Sequence, residues 1–240
     1  MKFVVLLTTI LLNSTPALAD VCTAKFPRVQ QDIVVAEANI QKLNDAFSKV
    51  PGSIQDRDWV KAKLGHMFEV DQYIRNLVTT IHERSYTDAE KQCAMDEFVS
   101  LMIAIDLRDT ADMKTLLTKY DWIRISLFGE VADNQAWLIV QHADQDPDFQ
   151  QSVLKTLENL WPLRETSSQN YAYLFDRVAA SWNDLTKRRL QRYGTQGQCT
   201  TPGNWEPLPL EDEMHLDGLR RTVGLGPFAE YKKMADGMCP

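Results

Sequence analysis

The 240-residue chain is poor in glycine and proline, with ten of each, and carries only four cysteines. That scarcity excludes collagen-like, low-complexity and cysteine-dense scaffolds. Concentrated positive charge is missing too. The longest basic run is Lys187-Arg188-Arg189, in a chain with 26 Lys+Arg against 33 Asp+Glu and a net charge of -7. Without a large phosphate-binding surface, nucleic acid is not an expected partner. Beyond the N-terminus no uninterrupted apolar run approaches the ~20 residues needed to cross a bilayer, so no membrane span is expected. The chain also lacks G-x-S-x-G, H-E-x-x-H and a glycine-rich phosphate loop, and with them the commonest nucleophile, zinc and nucleotide signatures. His66, Glu69, His82 and Glu83 do not form the E-x-x-H pairs of helical di-metal sites. In the Asp144, Asp146, Asp148 run, Phe149 replaces the turn glycine of a calcium loop and Lys155 its bidentate glutamate. No metal and no cofactor is expected.

Lys2, the largely apolar stretch Phe3 to Leu12 and the A-x-A pattern Ala17-Leu18-Ala19 read as a secretory signal peptide over residues 1–19. The remainder is expected to be periplasmic or secreted. In an oxidising compartment Cys22, Cys93, Cys199 and Cys239, none with CxxC spacing, are expected to be cystines. The pairing Cys22 with Cys93 and Cys199 with Cys239 closes each loop within one region of the chain.

Apolar residues at Val29, Ile33, Ala36, Ile40, Leu43 and Phe47 share one helix face, which ends at Pro51-Gly52-Ser53. A second helix runs from about Asp58 through Val60, Leu64, Met67, Val70, Ile74, Leu77 and Ile81. Thr87 and Glu90 form a capping box for a third. Asp109 reads as the N-cap of a further helix, and Asp121 to Gly129 as a packed turn. The apolar segment Ala136 to Val140 has no clean alternation and is assigned to a helix because its neighbours are helical. Asp146-Pro147 opens the next helix, and Ser167 or Ser168 the one after, with Tyr171, Leu174, Phe175, Val178 and Trp182 facing inward. Gln191 to Asn204 reads as an extended segment and loops with a small hairpin, and two short helices, Met214 to Val223 and Pro227 to about Ala235, close the chain. The expected fold is mainly α, a bundle-like helical domain with a short β-hairpin or extended segment near residues 190–210.

From Asp109 onward the order of motifs resembles an uncharacterised bacterial family of unknown function with the core string QRYGTQ. The matching residues are Trp122, Gln141-His142-Ala143-Asp144, Tyr173-Leu174, Asp176-Arg177, Gln191 to Gln196, Pro209-Leu210-Glu211-Asp212, Asp217, Arg220-Arg221, Gly224-Leu225 and Tyr231. The resemblance implies a shared fold and site over about residues 109–235 but no chemistry. It divides the chain into the signal peptide, an N-terminal helical extension over 20–108 and a family domain over 109–240, packed with the extension as one unit.

The ionisable and amide-bearing residues of that domain define a candidate site. His142 and Asp144 stand at the polar end of an apolar helix, suited to proton transfer. Asp176 and Glu211 are further candidate acids, the latter beside Asp212 as a carboxylate pair able to act on a glycosidic or amide bond. Arg177, Gln191, Arg192, Tyr193, Thr195 and Gln196 are candidate ligand-binding residues, dense in hydrogen-bonding groups around Gly194. The same groups read equally as a buried network fixing a loop. Two functions remain open: an acid/base, hydrolase-like enzyme acting on an envelope or extracellular substrate, and a non-catalytic module that binds a small polar molecule, an envelope component or another protein.

Overall fold

A computed structural model describes residues 22–180 and 189–239. The described residues form nine α-helices: α1 (Pro27–Phe47), α2 (Arg57–Thr79), α3 (Asp88–Lys119), α4 (Ile125–Phe128), α5 (Glu130–Gln141), α6 (Pro147–Leu160), α7 (Ser168–Ala180), α8 (Leu216–Thr222) and α9 (Phe228–Asp236). One antiparallel hairpin, β1 (Gly197–Thr201) with β2 (Asn204–Pro207), pairs Gly197 with Pro207 and Cys199 with Trp205. The fold is thus mainly α with a short hairpin, as expected. The signal peptide over 1–19 and Trp182 lie outside the described residues.

Local chemistry accounts for most boundaries. Asp56 Oδ1 accepts from the Asp58 amide at 2.9 Å and starts α2. The Thr87–Glu90 capping box starts α3, with the Thr87 amide donating to Glu90 Oε2 at 2.8 Å. Asp146 accepts from the Phe149 amide at 3.0 Å ahead of Pro147, which opens α6. The 121–129 turn holds the one-turn helix α4. Asp109 departs from its expected role. It caps nothing and lies inside the 32-residue α3, buried, with Oδ1 accepting from Arg108 Nε at 3.0 Å. Neither glycine nor proline occurs between Asp88 and Lys119 to interrupt the helix.

Two core clusters meet along α2 and α3. One joins Val29, Ile40, Val70, Ile74, Phe98 and Ile105, so α1 rests on the C-terminal half of α2 and the N-terminal half of α3. The other joins Val60, Leu64, Met67 and Met113 to Trp122, Ala136, Val140, Leu157, Leu174 and Tyr193. Helices on both sides of residue 109 therefore share one core. The cystine Cys22–Cys93, with Cα atoms 5.8 Å apart, anchors the chain just before α1, and Cys199–Cys239, at 5.5 Å, ties the hairpin to the end of α9. No helix among the described residues is long and apolar enough to cross a membrane.

Candidate functional site

His142 follows the last residue of α5, where the ladder of that helix runs out. Its amide donates to Leu138 and Ile139 carbonyls, while the fully buried Gln150 of α6 donates through Nε2 to the Val140 and Gln141 carbonyls at 3.1 and 3.2 Å. The end of α5 is thereby pinned to α6. The imidazole is fixed from the other side. Its Nδ1 lies 2.8 Å from Oδ1 of Asp71, a carboxylate on α2 that is 1% exposed, while the His142 side chain keeps 16% exposure.

Asp71 is itself held by neighbours on every side. Arg75 Nε donates to its Oδ1 at 2.9 Å, Gln72 Nε2 to its Oδ2 at 2.8 Å, and Arg75 Nη2 reaches Asp106 on α3 at 2.6 Å. Burial alone would push the Asp71 carboxyl up, but the hydrogen bonds and charges of His142, Arg75 and Gln72 outweigh it and hold the group below its ordinary value. At Asp106 burial wins over Arg75, and the carboxyl rises. Ligand atoms of Asp71, Asp106 and His142 lie within 4.8 Å of one another, close enough in principle to share a cation. Arg75, however, already bridges the two carboxylates with its own positive charge, and Asp71 has donors on both oxygens. The cluster is built to position an imidazole rather than to surround a divalent ion.

The acid expected beside His142, Asp144, is placed otherwise, while Asp146 keeps its expected role as a cap. Asp144 is exposed, accepts from Gln150 Nε2 at 3.1 Å and stands 3.6 Å from Arg177 Nη1 of α7. Asp146 caps α6 and pairs with Lys114. The acid that orients His142 comes from α2, 71 residues earlier in the chain.

Asp176 and the 191–196 segment form a second network. Asp176, fully buried, accepts from the amides of Arg192 (2.7 Å), Tyr193 (3.1 Å) and Thr195 (2.9 Å) and from the Thr195 hydroxyl (3.0 Å). Burial pushes its carboxyl up against the four donors that favour the charged form. Gln191 closes the loop on itself: Nε2 donates to the Gln196 carbonyl at 2.8 Å and to the Leu208 carbonyl at 2.5 Å, and Oε1 accepts from the Gln196 amide at 2.9 Å. The Gln196 amide group turns back on Thr195 at 3.2 Å. Gly194 has φ +66, a left-handed conformation that a side chain resists, and an added Cβ would stand 3.0 Å from Phe228. Beneath the loop, Arg220, 2% exposed, donates to the Tyr193 carbonyl at 2.6 Å and to the Gly226 carbonyl at 2.7 Å, and Tyr231 donates to the Thr195 carbonyl at 2.9 Å.

Asp176, Gln191, Tyr193 and Thr195 thus spend their polar atoms inside the fold, as a latch that holds the loop on α7. Arg192 is partly exposed. It pairs with Glu211 at 2.8 Å, lies 4.3 Å over the Phe175 ring, and borders an open groove of about 270 Å³ together with Glu211, Lys155 and Tyr171. Glu211 and Asp212 do not work as a pair, because Asp212 accepts from exposed His215 at 2.8 Å. Adjacent residues of α7 serve different sites: Asp176 turns to the loop and Arg177 to Asp144.

The chain belongs to a family of unknown function, DUF6624, whose model matches residues 58–238. The match begins at Asp58 rather than Asp109, and so takes in α2 and α3 with Asp71, Arg75 and Asp106. No curated protein and no solved structure matches the chain.

Proposed function

We propose that the protein is exported and that His142 transfers protons in an acid/base, hydrolase-like reaction on an envelope or extracellular substrate. One observation carries the reading: a partly exposed imidazole whose Nδ1 is engaged by a buried carboxylate, itself fixed by Arg75 and Gln72. A ring held by Nδ1 presents Nε2 as the free proton acceptor, the division of labour found in histidine–aspartate dyads. Among the described residues Nε2 makes no hydrogen bond. Arg177 and Asp144 flank the same helix end and would meet a polar substrate. Export is supported by the leader-like residues 1–19, the two cystines and the lack of a spanning helix among the described residues.

The test is turnover of chromogenic glycoside, ester, amide and phosphoester substrates by wild type and by His142→Ala, with circular dichroism confirming the fold. Loss of about 10²–10⁴-fold is expected for a general base. Asp71→Asn, which acts through His142, should retain part of the rate with a displaced pH profile. Turnover that survives His142→Ala refutes the assignment. The second reading, a polar-ligand-binding module, is favoured by the half-exposed Arg192–Glu211 pair on its groove. It is supported if a ligand is held at Arg192 and no compound is turned over.

A further inference from the structure

We propose that a groove at the opposite end of α5 from His142 binds a neutral, hydroxyl-rich ligand, a saccharide of one or two units. Helix α5 has 12 residues, about 18 Å at 1.5 Å per residue, so this site is separate from the acid/base cluster and does not depend on it.

The groove has two adjoining compartments of about 430 and 320 Å³ that share Ile125, Glu130 and Ser168. Each lies within the ~300–1,000 Å³ common for small-molecule sites. Its floor is the Asp133 carboxyl, 1% exposed, which accepts from Trp122 Nε1 at 2.7 Å and from the Ser167 amide at 3.1 Å. The Thr166 hydroxyl and the Asn170 amide lie against the same carboxyl. They are 2% and 7% exposed, yet neither makes a hydrogen bond of normal geometry there. An amide NH₂ has two hydrogens, and a poorly aimed contact with Asp133 leaves donor capacity for a molecule in the groove that Asn170 lines. Asn170, with a second amide hydrogen to give, is therefore the place where a ligand gains most.

The lining chooses the ligand class. Glu130 and Asp133 face a single cation, Arg164, which disfavours phosphate and polyanions. The walls are helix ends and a turn, with no strand edge for an extended peptide to join. A hydroxyl both donates and accepts, so a sugar can give to the exposed Glu130 carboxylate and take from the Asn170 amide. Its C–H face suits Trp161, half-buried on one compartment wall and stacked on Tyr171 at 5.7 Å.

Saturation-transfer NMR on the full chain with glucose, N-acetylglucosamine, cellobiose and chitobiose at millimolar concentration tests this. Glu130 and Asn134 are exposed, so Glu130→Ala and Asn134→Ala keep the fold. At least one of the four sugars should bind, weakened by about tenfold or more in the Glu130→Ala/Asn134→Ala double variant and unchanged in His142→Ala. No signal from any of the four overturns the proposal. So does a signal that the double variant leaves intact, because the sugar then sits elsewhere.

Discussion

Asp109→Asn should stabilise the protein at neutral pH, although it removes a charged partner of Arg108. Asp109 lies in the α1–α2–α3 interface at 2% exposure, and one oxygen, Oδ2, has no hydrogen-bond partner. Burial pushes its carboxyl up from the ordinary 3.8 to about 6, against the pull of Arg108 and Lys63. The folded state therefore holds a proton more tightly than the unfolded chain. The sign follows: this contribution to stability is present below the unfolded pKa and lost as pH rises through about 6. The shift corresponds to roughly 3 kcal/mol of cost at pH 7. An asparagine avoids that cost and loses an Arg108 hydrogen bond worth ~1 kcal/mol, leaving a net gain of about 1–2 kcal/mol. His66, stacked on Phe47 at 4.8 Å, runs the opposite way. Burial, with Lys63 and Arg108, lowers it to about 4, so the unfolded chain binds more protons between pH ~4 and ~6.5 and stability rises with pH there. In the wild type the two slopes oppose each other. In Asp109→Asn the His66 contribution, up to ~1.4 kcal/mol per pH unit, is no longer opposed by Asp109, so the slope between pH ~4 and ~6 becomes more positive than in the wild type. Guanidinium unfolding with cystines intact, at half-unit steps from pH ~4 to ~7.5, reads both effects. A variant less stable than wild type at pH ~7.5, or one with an unchanged pH slope, would refute the burial reasoning.

Asp176→Ala strands the amides of Arg192, Tyr193 and Thr195 inside the fold and should cost ~3–5 kcal/mol, with proteolysis appearing first within 191–196; a loss under ~1 kcal/mol in chemical unfolding contradicts the latch. Added Zn²⁺ or Mn²⁺ should leave the melting temperature of the dialysed protein unmoved, because Arg75 occupies the space between Asp71 and Asp106. A rise of several degrees that vanishes in Asp106→Asn would establish a cation site and remove the basis of the acid/base proposal. Replacing Cys22 and Cys93 together by serine opens a loop of sequence separation 71 and should lower the unfolding free energy by up to ~4 kcal/mol, with the loss of α1 protection visible in hydrogen exchange.

Periodicity made the helices legible because an apolar stripe needs only the local chain to declare itself. Asp146-Pro147 and the Thr87–Glu90 box were equally readable, since a cap is satisfied within four residues of its own helix. Asp109 misled for the same reason: an aspartate ahead of an apolar face has the composition of a cap, and only the helices packed on it show that the face continues through it. The His142 site divides along this line. The histidine is visible at the end of an apolar run, whereas the acid beside it in the sequence, Asp144, is not the one that holds its ring. Asp71 was nonetheless marked. It falls four residues after Met67 and three before Ile74, on the buried stripe of α2, with Arg75 one turn later. Asp109 occupies the same kind of position, four residues from both Ile105 and Met113. A carboxylate on an apolar stripe must find a cation, a donor or a proton in the interior. Asp71 finds His142, Arg75 and Gln72 and stays ionised. Asp109, with one oxygen unmatched, moves toward the proton. The pattern therefore locates buried acids in the sequence, but the number of donors that reach them, set by distant helices, decides which acid orients a histidine and which only strains the core.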